Sequence, residues 1–131
     1  MRVFKNKWFV RFASREGIPD RSLCLAVRKA ETGLIDADLG GGVIKQRIAR
    51  PGQGESGGYR SIILFRCGDK AFFVFGFPKS AMDNIGGQDV KAFKKLAREM
   101  LALDGQELAL LLDRGALTEV ACHGEGEDLP E

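Results

Sequence analysis

Residues 43–60 read VIKQRIARPGQGESGGYR, and the spacing inside this stretch decides the fold. From Val43 to Arg50 the period is two: Ile44, Gln46 and Ile48 face one way, and Val43, Lys45 and Arg47 the other. Proline and four glycines then interrupt the chain before it returns as GYRSIILFR. Two extended segments around a glycine-rich connection predict a β-hairpin, with Arg60 coming back near Arg47. The stretch carries four cations (Lys45, Arg47, Arg50 and Arg60), one tyrosine (Tyr59) and a single acid, Glu55.

Working outward, GYRSIILFR and KAFFVFGF are rich in β-branched and aromatic residues and are joined at CGD by a tight turn. The three extended segments predict an antiparallel meander. Upstream, a short strand over Arg2 to Phe4 leads to Asn6, a helix cap, and to Trp8, Phe9 and Phe12 on one helical face that Gly17 terminates. Asp20 is expected to cap a second helix through Leu23, Val27 and Ala30, stopping at Gly33. Downstream, Val90, Phe93, Leu96, Ala97 and Met100 form an apolar stripe opposite Lys91, Lys94, Lys95 and Arg98. Asp104 with Glu107 reads as a capping box for a last helix, Gly115 as its stop, and ALTEV as a closing strand. The fold class is α+β, with helices covering one face of the sheet.

The chain has 131 residues, 44% of them apolar and 29% charged, which suits one domain with a modest core. It lacks any apolar run of about 18 residues. The N-terminus interleaves cations with aromatics and has no signal core, so the expected location is cytoplasmic, without a membrane partner. The net charge of +2 hides an asymmetry. Met1 to Leu112 carries 19 Lys/Arg against 12 Asp/Glu, or +7, and Asp113 to Glu131 carries one Arg against six acids, or −5. A basic body points to a polyanionic ligand, and the acidic tail either balances it or is a simple solubiliser. Cys24, Cys67 and Cys122 are widely spaced and form no C-x-x-C pair, so reduced, partly buried thiols are expected and no metal site.

Lys45 and Arg47, two apart on a strand, leave the same face about 7 Å apart, close to the spacing of successive phosphates on one nucleic-acid strand. The loop glycines let backbone N–H groups approach an oxyanion. There is no G-K-[ST] and no other nucleotide signature. If the ligand is RNA and the chemistry needs no metal, Arg47 and Arg60 suit charge stabilisation on phosphorus. Lys45 among arginines is pushed toward proton-transfer chemistry, and Tyr59 is placed to stack on a base or orient a 2′-hydroxyl. The same pattern also fits a solvated sheet face, or plain binding of RNA or another anionic partner.

The order helix–helix–GGVIKQRIARPGQGESGGYRSIILFR–KAFFVFGFPKS–Asn84-Ile85–helix closely resembles the RelE/HigB-like toxins of bacterial type II toxin–antitoxin systems, within the RelE/ParE superfamily. The likeness is to the subgroup with K-x-R … G-x-S-G-G-Y-R followed by an aromatic strand ending in F-x-K, and it runs from Met1 to about Val120. The acidic remainder, 121–131, is too polar and glycine-rich to order itself and is expected to be a disordered tail. The resemblance implies a single domain over residues 1–120, related in fold to microbial ribonucleases. It further implies a metal-independent, ribosome-dependent mRNA endoribonuclease with no small-molecule cofactor, whose partners are a helix-turn-helix antitoxin, the ribosome and mRNA. By the resemblance the catalytic positions fall on Lys45, Arg47 and Arg60, and the basic end of the aromatic strand on Lys79. Arg50 and Tyr59 join Lys79 as substrate-binding candidates. Some relatives carry an arginine where this chain has Ser80, and a tyrosine or histidine a few residues later; here the segment reads SAMDNIGG, which leaves the general acid unassigned. A ParE-like toxin of similar fold, which poisons DNA gyrase without chemistry, is the alternative.

Overall fold

The chain opens with β1 (Arg2–Asn6), and Asn6 converts strand into helix: its side-chain oxygen accepts the Phe9 N–H at 2.8 Å, capping α1 (Lys7–Glu16). Gly17, at φ 70°, ends α1 in the left-handed region that a missing Cβ opens. α2 (Asp20–Glu31) starts one residue earlier than expected. Pro19 is the cap, and Asp20 instead pairs with Lys5 at 3.0 Å. The computed structural model describes residues 1–50, 54–78 and 87–122. Within them follow β2 (Ala37–Gly40), β3 (Val43–Arg50), β4 (Gly54–Arg66), β5 (Lys70–Pro78), α3 (Gly87–Leu101), α4 (Gly105–Asp113) and β6 (Leu117–Val120). The capping box at α4 is complete, with Asp104 accepting from Glu107 N–H and Glu107 accepting from Asp104 N–H, both at 2.8 Å.

The predicted meander is the centre of a six-stranded sheet ordered β2-β3-β4-β5-β1-β6. Its pairs are antiparallel except β1 with β5, which is parallel. β2 was not anticipated, because LIDADLGGG has no apolar period; it pairs with β3 through backbone bonds.

Helices cover both faces of this sheet, where one covered face was expected. Phe9, Phe12, Leu23 and Val27 of α1 and α2 pack on Ile44, Ile48, Ile63 and Phe73. Ala97, Leu101 and Leu108 of α3 and α4 pack on the opposite face, against Val43, Ile62, Leu64 and Phe72. The reason is in the strands. Ile62, Ile63 and Leu64, and Ala71 through Val74, are apolar at consecutive positions, so each face offers apolar area that must leave water.

The cysteines also depart from expectation. Cys24 on α2 and Cys122, just beyond β6, form a disulfide with Cα atoms 5.5 Å apart, within bridging range. β6 pairing with β1 carries Ala121 and Cys122 to α2, where the Ala121 carbonyl lies 3.7 Å from the Cys24 sulfur. Cys67 is free and exposed. The expected tail over 121–131 is therefore anchored through Cys122, and the remainder of it lies outside the described residues. No helix among the described residues is long and apolar enough to cross a membrane.

Candidate functional site

Pairing of β3 with β4 places Arg47 directly opposite Arg60, and Lys45 opposite Ile62. Alternation along both strands puts Lys45, Arg47 and Arg60 on the α3 side of the sheet, with Val43, Ile62 and Leu64. The hairpin and the shared face of these three cations thus follow the spacing read from the sequence. Cβ atoms of directly opposed residues stand about 5 Å apart, and like charges there repel. Arg60 is also largely covered, its side chain only 15% exposed against 43% for Arg47. A guanidinium so far withdrawn from water requires a counter-charge.

Asp36 supplies it. One carboxylate oxygen, Oδ1, lies 3.4 Å from Arg47 Nε, and the other, Oδ2, lies 3.5 Å from Arg60 Nε. The acid stands just before β2 and its side chain is 16% exposed. Its backbone is fixed by Gln46, which is buried among the apolar residues of the opposite face. Gln46 Oε1 accepts the Asp36 N–H at 3.0 Å, while Gln46 Nε2 donates to the Leu34 and Ala26 carbonyls, both at 2.9 Å. Both donors and one acceptor lone pair of that amide are spent on joining α2, the loop after it and β3. Neither Asp36 nor Gln46 was identified from the sequence. Asp36 reads locally as a linker acid, and its relevance arises only when the chain reverses onto β3. Gln46 did carry a signal: a long amide on the apolar face of a strand must find partners.

Lys45 is half-buried and forms no ion pair with another described residue. Beside Arg47 and Asp36 opens a cleft of about 330 Å3, lined also by Lys29, Gly33, Leu34, Ile35 and Gln46.

Tyr59 and Arg50 do not join the cluster. Tyr59 is 2% exposed and belongs to the core on the α1/α2 side, with its ring edge-on to Phe12 at 5.8 Å. Its hydroxyl accepts from Arg50 Nε at 3.0 Å and Nη2 at 2.8 Å, and donates to Glu16, whose carbonyl and carboxylate oxygens both lie at 3.3 Å. The Arg50 guanidinium lies 4.9 Å from the Tyr59 ring centre. The pair ties the β3–β4 hairpin to the end of α1, so the expectation that Tyr59 stacks on a base does not fit its position. Gly58 has a different use as well. β4 begins at Gly54, and a Cβ on Gly58 would collide with the Ile48 carbonyl oxygen, so the absent side chain serves close strand pairing. Lys79 follows Pro78, which pairs with Tyr59; like Ser80 and the segment after it, Lys79 lies outside the described residues.

Two guanidiniums opposed across a strand pair, a lysine two residues along, and a single bridging carboxylate form an arrangement whose chemistry suits an oxyanion with distributed charge. Each arginine offers a planar fork, and neither hydrogen bonds to another described residue through it. Compared with known families, residues 1–120 match the one described as the RelE toxin of the RelE/RelB toxin–antitoxin system. No curated protein matches the chain.

Proposed function

The chain belongs to the family of RelE toxins, and from that premise we propose that it arrests translation by cutting mRNA at the ribosome. The observation that carries this reading is the opposition of Arg47 and Arg60 on one sheet face, with Lys45 beside them. In the reaction, the 2′-oxygen of one nucleotide attacks the adjacent phosphorus as the bond from phosphorus to the 5′-oxygen breaks. The 2′-hydroxyl proton passes to a base and the departing 5′-oxygen gains a proton. The products are a 2′,3′-cyclic phosphate and a 5′-hydroxyl. Arg47 and Arg60 stabilise the charge that builds on the non-bridging oxygens, the type of term that usually dominates such catalysis. Lys45, not held in an ion pair within the described residues, carries a proton at one of the two oxygens.

A partner antitoxin follows from the family; in this reading it is a helix-turn-helix protein encoded beside the toxin, and it silences the site by covering or distorting it. Controlled expression in bacteria tests the proposal. Protein synthesis should stop within minutes and cuts should appear inside translated messages, while DNA supercoiling stays unchanged. Alanine at Lys45, Arg47 and Arg60 together should abolish toxicity. Loss of supercoiling with intact messages would establish gyrase poisoning instead, and a fully toxic triple variant would remove the active site from this face.

A further inference from the structure

We propose that Asp36 is an internal stand-in for the substrate phosphate: it holds Arg47 and Arg60 converged in the empty site and gives them up when an RNA phosphate arrives. The inference rests on the reading of this face as an RNA-cleaving site and names what pre-organises it. Four observations carry it. The two arginines are directly opposed, an arrangement that repels unless an anion stands between them. The anion present bridges them with one oxygen each, through Nε on both sides. Those contacts, 3.4 and 3.5 Å, are longer than the roughly 2.7–2.9 Å of a tight charge-assisted bond. Finally, the buried Oδ2 has no hydrogen-bond partner among the described residues. The bridge is therefore loose, unlike the bidentate Arg2–Glu119 pair near the other edge of the sheet, where both contacts are 2.9 Å.

A loose internal anion has two consequences. It keeps the guanidiniums aimed at one point before substrate binds, which lowers the reorganisation needed in the reaction. It also competes with phosphate, so the empty site grips nucleic acid less strongly than its cations alone would. Asp36 is accordingly a positioning residue. Its backbone is pinned through Gln46, so when phosphate enters, the carboxylate turns aside while the loop stays in place.

The test compares the full-length protein with its Asp36→Asn variant on a short single-stranded RNA whose riboses are 2′-O-methylated and cannot attack. Removing the competing charge should raise affinity on the order of tenfold at low salt. The slope of log K against log salt should steepen by about 0.7, one more phosphate contact on a single strand. On programmed ribosomes the variant should show a lower KM together with a lower kcat. A purely structural role would instead lower both binding and rate with the folded fraction. If wild type binds the RNA and the folded variant binds no better, this inference fails and the site assignment stands. If wild type does not bind RNA at any salt, the site assignment fails and the inference falls with it. The wild-type protein supplies a second measurement that needs no variant. On titration with inorganic phosphate, the NMR signals of the Asp36 carboxyl carbon and of Arg47 and Arg60 Nε–H should move together. Arginine shifts with a stationary Asp36 would overturn the exchange.

Discussion

Replacing Gln46 with leucine tests whether the site is built from behind, because the Gln46 side chain leaves the opposite face of β3 from Lys45 and Arg47 yet fixes the loop that carries Asp36. The substitution keeps volume and removes three hydrogen bonds. The Ala26 carbonyl lies inside α2 and keeps a helical acceptor bond. The Asp36 N–H and the Leu34 carbonyl lose their partner, at about 1–3 kcal/mol each. The lower half of that range applies, since the 330 Å3 cleft lined by Leu34, Asp36 and Gln46 lets water reach them. The leucine returns about 1 kcal/mol by burying apolar surface. A net loss of about 1–3 kcal/mol lowers the melting midpoint of a domain this size by roughly 4–12 °C. With the Asp36 loop released, Arg47 and Arg60 separate, and cleavage per folded molecule falls on the order of tenfold or more. Thermal unfolding gives the first quantity, and cleavage on programmed ribosomes, scaled to the folded fraction, the second. A variant that melts within about 2 °C of the parent and cleaves normally would refute the reasoning, because Gln46 would then anchor nothing.

Three further outcomes are expected. Tyr59→Phe removes the hydroxyl that links Arg50 to Glu16 and costs about 1–2 kcal/mol of stability but leaves cleavage per folded molecule unchanged; a selective loss of cleavage would return the ring to the substrate. Serine at Cys24 and Cys122 removes a link spanning 98 residues. Chain entropy sets that loss at up to about 4.7 kcal/mol, read as a lower denaturant midpoint that a reducing agent reproduces in the parent. Gly58→Ala drives a methyl group into the Ile48 carbonyl, so the neighbouring Ile48–Tyr59 pairing is strained and the protein melts earlier; an unchanged midpoint would mean that the two backbones do not approach so closely there.

Much of this architecture was legible because local rules and tertiary packing agree in it. The Asn6 cap, the Gly17 stop and the Asp104–Glu107 box are decided within four residues of chain, and each appears as read. The period-two pattern of VIKQRIAR placed Lys45 and Arg47 on one face, and the hairpin brought Arg60 opposite Arg47. What the sequence concealed depends on distant segments. β2 has no apolar period because its pairing runs through the backbone to β3. The disulfide requires β6 to dock beside β1 before Cys122 meets Cys24. Tyr59 was weighed for its ring alone: adjacent to Arg60 in sequence, it points to the other face of β4 and is buried there. Asp36, the acid that holds the cationic pair, stands in a segment whose composition suggested only a connection.

The central claim is that Arg47 and Arg60 stabilise cleavage of an RNA phosphodiester, and the chemistry of the broken ends tests it most directly. Messages from cells expressing the wild-type protein should carry new 5′-hydroxyl ends facing 2′,3′-cyclic phosphates inside reading frames, and Arg60→Ala should erase them without unfolding the protein. Growth arrest by the wild type with no such ends, or the same ends at the same abundance from a folded Arg60→Ala variant, would contradict it.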